Sequence, residues 1–206
     1  DEVLRLYDTQ VWGVAKDYSQ DQIGAVSLLA RMALAGVDVG DRWQDVAHYL
    51  TTRLDDHVLP FLDMQYLYGL ARAGRPQALT LMRHIEAFAT RSPNPSPVWQ
   101  RVCLPASRGL LAHAQGDYPR AVDELGVALP RLIEIGGSHA QRDLFEQIHL
   151  DALMRSGQWN AAQNLLQQQL RGQPESARLK RLAAQTYSAL GLPIGPDGAL
   201  ATLAWS

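Results

Sequence analysis

The chain has 206 residues, 47% of them hydrophobic and 19% charged, which is enough apolar material for one large domain or a short run of repeats. Its 19 Lys and Arg against 21 Asp and Glu leave a net charge of −2, so no global field draws it to a phosphate backbone or an anionic membrane, and neither is expected as a partner. Cys103 is the only cysteine, which excludes an internal disulfide and a clustered thiolate metal site and fits a reducing, cytoplasmic compartment. No apolar run approaches the roughly 20 residues that span a bilayer, and the charges at Asp1, Glu2 and Arg5 do not suit a signal peptide.

Asp1 to Asp8 reads as a helix with Val3, Leu4 and Tyr7 on one side, starting without a cap, as the second half of a hairpin would. Val11-Trp12-Gly13 loosens the chain. Ser19 and Gln22 then have the spacing of a capping box, and Ile23, Val26, Leu29, Ala30 and Ala33 line one helical face up to Gly36. Asp41 with Gln44 repeats the capping pattern before Trp43, Val46, Ala47, Leu50 and Leu54. After the polar break Asp55-Asp56-His57, Pro60 suits a first helical turn, and Phe61, Met64, Leu67, Tyr68 and Ala71 face inward. Pro76 opens the next helix, with Ala78, Met82, Ile85 and Ala89 inside. The run Ser92-Pro93-Asn94-Pro95-Ser96-Pro97 forbids helix and marks a possible internal seam at 92–97.

Val98 to Gln115 is helical in pattern, with a kink or a 3₁₀ start expected near Cys103 because Pro105 removes a backbone hydrogen bond. Asp117 caps the following helix, whose inner face is Ala121, Leu125, Ala128, Leu129 and Leu132, and Pro130 should bend its last turn. Gly136-Gly137 precedes a third capping box, Ser138 with Gln141, and then Phe145, Ile148, His149, Ala152 and Leu153. A hairpin partner runs from Trp159 to Leu170, Pro174 opens a last helix to about Leu190, and Gly198 to Ser206 is a tail expected to dock through Leu203 and Trp205. No alternating run is long enough for a strand.

Two turns share one grammar: Gly116-Asp117-Tyr118-x-x-Ala121 and Gly157-Gln158-Trp159-x-x-Ala162, 41 residues apart. That period falls in the window of stacked helical repeats. Gly109, Tyr118, Ala121 and Ala128, and again Trp159, Ala162, Leu166 and Pro174, resemble the tetratricopeptide repeat pattern, at a spacing longer than its usual 34. More specifically, the stretches Gly36 to Val46 and Gly136 to Phe145 resemble two signature stretches of the tetratricopeptide repeat protein 38 family. The likeness covers nearly the whole chain in order. Family members carry further helical repeats before the region corresponding to Asp1, and often have His where this chain has Gln65. The resemblance implies an all-α, right-handed α-solenoid of about ten helices in antiparallel hairpins, here a single domain, 1–206, from the C-terminal part of a longer repeat protein. It brings no established reaction.

Chemistry-bearing residues are sparse. Ser138, His139, Arg142 and Asp143 surround a helix start where free amides and the helix dipole suit an anion, and Asp41 and Arg42 sit in a comparable turn; a plain helix cap explains the same letters. Asp55, Asp56, His57 and Asp63 contain no recognisable zinc spacing and read as a solvated connection, so no metal and no cofactor is expected. The six histidines are scattered, His149 reads as a hydrogen-bonded core residue, Cys103 as a buried inert thiol, and Arg178, Lys180 and Arg181 as a solvated face. There is no Gly-x-Ser-x-Gly elbow and no phosphate-binding Gly-Lys loop, so no catalytic residue is assigned. The function expected is a non-catalytic scaffold binding a protein or peptide in a concave groove. Two alternatives are an enzyme or small-ligand binder with a site gathered from His57, Asp63, His139 and Arg142, and a self-associating structural module, a possible homo-oligomer.

Overall fold

The computed structural model describes residues 2–91 and 96–193. Residues 92–95 of the expected seam, and the expected tail contacts of Leu203 and Trp205, lie outside the described residues. The described residues form ten α-helices and no strand: α1 (Glu2–Leu6), α2 (Ser19–Leu34), α3 (Arg42–Leu50), α4 (Pro60–Arg72), α5 (Gln77–Arg91), α6 (Leu104–Ala114), α7 (Tyr118–Ala128), α8 (His139–Arg155), α9 (Trp159–Gly172) and α10 (Ala177–Ala189). The class is all-α. None of these helices is long and apolar enough to cross a membrane. The chain divides into two compact units, Asp1–His149 and Leu150–Ser206, the division falling within α8.

Proline decides where the helices change pitch. A wider π-helical turn, Trp99–Cys103, and not a 3₁₀ start, leads without a break into α6, where Pro105 in the first turn has no amide to bond back to the preceding turn. Pro130 lies in a 3₁₀ segment, Leu129–Ile135, that ends α7. Pro174 stands outside α10, which starts at Ala177 under a cap from the Ser176 side chain, three residues later than the proline suggested. The first helix also differs from expectation, since α1 passes into a π-helical turn, Tyr7–Val11, and Trp12 is buried with its indole N–H donating to Asp45 Oδ2 at 2.6 Å. That bond anchors a segment that its glycine and small residues would otherwise loosen.

Of the three expected capping boxes, one forms. The Ser138 amide donates to Gln141 Oε1 at 2.7 Å and the Gln141 amide to Ser138 Oγ at 3.2 Å. At α2 the cap position is Tyr18 and makes no side-chain bond, because Gln22 is taken by Lys16 O (2.9 Å) and by Arg53 (3.1 Å). At α3 the Gln44 amide donates to Ala73 O at 2.6 Å instead, and Asp41 makes no cap bond. Asp117 does cap α7, accepting from the Arg120 amide at 3.3 Å.

The first unit is organised around α4, against which α2, α3, α5 and α6 all pack. Ten of its thirteen residues are buried, the pattern of a helix covered nearly all round. Gly69 allows this crowding: a Cβ there would stand 2.5 Å from Leu50 Cδ1 and 2.8 Å from Val26 Cγ2. α6 and α7 form a tight hairpin in which a Cβ on Gly109 would meet Leu125 Cγ at 2.7 Å and Ala121 O at 3.3 Å. The expected contact of Gly109 with Ala121 is therefore present. In the second unit, α9 packs on α10, Ala162, Leu166, Leu179 and Ala183 are buried, and Gln167 donates to Tyr187 Oη at 2.8 Å. Gly157 turns the chain into α9 with φ +73°, a conformation glycine adopts without strain.

Candidate functional site

α4 carries two polar side chains where a fully covered helix has least use for them, Asp63 and Gln65, both 0% exposed. Each leads to a cluster of interest.

Gln65 lies in the wall of a cleft of about 250 Å3. One side is α2, with Gln20, Ile23, Gly24, Ser27, Leu28 and Arg31, and Gln141 of α8 stands opposite, above Phe61. The glycine loop before α8 rests on that same ring, since a Cβ on Gly137 would sit 3.2 Å from Phe61 Cδ2. Arg31 ties the two walls together by donating to Asp143 Oδ2 at 2.8 Å and to Ala140 O at 2.6 Å. Both polar atoms of the Gln65 carboxamide lack a hydrogen-bond partner. A buried amide without partners costs about 1–3 kcal/mol relative to a paired one, so this position is held at the expense of stability. Gly24 works the same way. It lines the same cleft, and a Cβ there would meet nothing within 4 Å, so no packing demand accounts for a glycine inside α2.

The expected anion site is placed in the same region but its groups are already engaged. Arg142 donates to the carbonyls of Gly136 and Gly137, Asp143 accepts from Arg31 and Gln147, and the Ser138 hydroxyl serves the cap. His139 is exposed at the start of α8. Arg42 holds Asp8 through a two-pronged contact (2.8 and 2.7 Å), and Asp41 is exposed. Of the four residues in the alternative site, the structure brings together His57 and Asp63; Arg142 turns back onto its own loop.

The second cluster surrounds His57. Its Nδ1 lies 2.5 Å from Asp63 Oδ2, and the other carboxylate oxygen, Oδ1, has no partner. The ring stacks on Phe88 (centroids 5.0 Å) and meets Trp99 edge-on (5.9 Å). Its backbone has φ +42°, the one described residue other than glycine in the left-handed region. Asp63 holds the His57 imidazole above its usual range, while burial pushes the Asp63 carboxyl up; both directions keep a proton on the pair. Nearby, His84 Nδ1 lies 2.8 Å from Asp55 Oδ1 and 3.0 Å from Leu54 O. Among the described residues, Asp55, His57 and His84 can each offer a donor atom within 4.8 Å of the others, a group that could hold a metal.

The remaining candidates are structural. Cys103 is fully buried beside Pro60 O and Ser107 Oγ, and burial pushes its thiol far up, so it is no nucleophile at neutral pH. Lys180 pairs with Glu175 at 2.9 Å. His149 is partly buried with Nδ1 unpartnered, so it is less well satisfied than a core histidine was expected to be. Burial lowers its pKa against a smaller opposing hydrogen bond to Val122. A histidine depressed in the fold resists the proton that the unfolded chain accepts near pH 6.5, so its contribution is complete above that value and is lost on acidification through the folded pKa. Thermal melts from pH 7.5 to pH 4.5 are expected to fall more steeply in the parent chain than in His149→Gln; parallel curves would contradict this.

No protein-family model matches the chain, and no solved structure matches it.

Proposed function

We propose that this chain is a non-catalytic helical-repeat scaffold of the tetratricopeptide repeat protein 38 type, stacked as a right-handed solenoid, and that it binds an extended peptide segment of a protein partner in the cleft between α2, α4 and the start of α8. The observation that carries this is the Gln65 carboxamide. A side-chain amide presents one acceptor and a donor pair at the spacing of a backbone amide, so, turned from its fully buried position into the cleft, the Gln65 side chain can meet the C=O and N–H of a passing peptide at once. Gln20, Ser27 and Gln141 add adaptable polar contacts at the rim. The volume, about 250 Å3, lies just below the range of about 300–1,000 Å3 for drug-sized ligand sites, which suits a short length of chain lying across the cleft rather than a large enclosed molecule.

The test is selection of peptides from a random displayed library against the intact chain, followed by affinity measurement with Gln65→Leu and Gly24→Leu. Both variants are expected to lose the selected peptides by roughly tenfold or more, as the loss of a buried amide partner or of the space for the ligand requires. Gln65→Leu should at the same time stabilise the peptide-free chain by about 1–2 kcal/mol, because an unpaired amide is replaced by an apolar side chain of similar size. Failure to enrich any peptide, or binding to both variants as tight as to the parent chain, would remove the proposal.

A further inference from the structure

We propose that Asp55, His57 and His84 form a zinc site with one open position, in which Asp63 fixes the orientation of His57. The three side chains come from the α3–α4 connection and from α5, and offer donor atoms within 4.8 Å of one another. Zinc bonds to nitrogen and oxygen of about 2.0–2.1 Å in a tetrahedron place ligand pairs roughly 3.4 Å apart, so the group must tighten by about an ångström. Asp55, with its side chain 85% exposed, is free to supply that movement by a change of rotamer.

Asp63 distinguishes this group from a chance meeting of polar residues. A histidine that binds a metal characteristically donates its other ring N–H to a carboxylate, which sets the tautomer and makes the imidazole a stronger ligand. Here Asp63 Oδ2 occupies Nδ1 of His57, which leaves Nε2 with the lone pair. The carboxylate is 0% exposed and its second oxygen is unpartnered, so its charge is poorly compensated by one imidazole alone. A dication on the far side of that ring supplies the missing positive charge. Phe88 stacks on one face of the ring and Trp99 meets it edge-on, and the left-handed backbone of His57 aims it, a strained conformation of the kind that collects at ligand sites.

Access is open from the other side. His84 is about one third exposed and borders a surface cavity shared with Arg83, Glu86, Ala87 and Thr90. Two imidazoles and a carboxylate suit zinc and its late first-row neighbours rather than magnesium or calcium, which prefer all-oxygen sets. The three protein ligands leave the fourth position for water or a partner's side chain.

The experiment is titration of the metal-stripped intact chain with Zn2+ and with Co2+ as an optical probe, in the presence of excess Mg2+. One Zn2+ per chain is expected, with a visible Co2+ band that Zn2+ abolishes and Mg2+ does not. Asp55→Ala and His84→Ala, at exposed or half-exposed positions, should each weaken uptake by at least about tenfold with the helical spectrum unchanged, and Asp63→Asn by about 10–100-fold. Absence of uptake at micromolar Zn2+, or uptake unchanged in the Asp55→Ala/His84→Ala double variant, would overturn the site. Peptide binding in the α2–α4 cleft is a separate property, and neither outcome alters it.

Discussion

His57→Ala is expected to destabilise the metal-stripped chain by about 3–5 kcal/mol, the cost of leaving a buried charge without its partner. Asp63 is 0% exposed, its Oδ1 is already unpartnered, and His57 supplies the bond to Oδ2. A second effect runs the other way at this residue. His57 holds φ +42°, where a residue with a Cβ is strained by about 1–3 kcal/mol, so His57→Gly should lie above His57→Ala by about 1 kcal/mol. The two variants separate the electrostatic loss from the conformational gain. Removing both polar partners in His57→Ala/Asp63→Leu should recover most of the loss, because the uncompensated carboxylate is gone. Urea denaturation midpoints at pH 7 measure all three. A loss below about 1 kcal/mol in His57→Ala would show that the pair is not holding Asp63 in place.

The second large effect is expected at Gly109. A Cβ there lies 2.7 Å from Leu125 Cγ and 3.0 Å from the Leu125 backbone nitrogen, so a rotamer change of Leu125 cannot relieve the clash and α6 and α7 must part. Overpacking of this kind costs about 1–3 kcal/mol, more where backbone must shift. Helix propensity opposes it, since replacing glycine inside a helix gains about 1 kcal/mol. For Gly109→Ala the two nearly balance, with a net loss of about 1 kcal/mol, and for Gly109→Val the steric effect wins by about 3 kcal/mol. Gly24→Ala is the control, because its Cβ meets nothing: it should gain about 0.5–1 kcal/mol from propensity alone. If Gly109→Val unfolds at the parent midpoint, the hairpin is not packed this closely.

Helices were the most legible part of the chain because apolar spacing and helix-ending glycines are local signals. The Gly109 contact with Ala121 was readable for the same reason, since a hairpin with a short turn fixes which positions face each other. The capping boxes show where local reading stops. Ser19 with Gln22 and Asp41 with Gln44 have the same spacing and cap chemistry as Ser138 with Gln141, yet Gln22 and Gln44 are drawn to carbonyls and an arginine brought near by the fold. Those partners cannot be seen from a four-residue window. Similarly, Arg142 beside two glycines suggested an anion, but the loop folds so that its own carbonyls reach the guanidinium first.

At the sites, His57 and Asp63 stood among the candidate residues, and their pairing follows from one turn of chain leading into α4. His84 was out of reach, because α4 and a further connection separate it from Asp55 in sequence. Gln65 was visible only as a departure from the resembled family. The physical signal was present all the same: two polar residues on the helix with the most continuous burial, one of them with no partner at all.

The most direct measurement is an N-methyl scan of a selected peptide against the parent chain and Gln65→Leu. Removing one backbone N–H at a time removes the donor that the Gln65 carbonyl would accept. The expected result is a single peptide position whose methylation weakens binding to the parent by roughly tenfold and has no further effect on Gln65→Leu, the signature of two groups in direct contact. Methylation losses that are the same in both proteins at every position would contradict a peptide backbone held by Gln65.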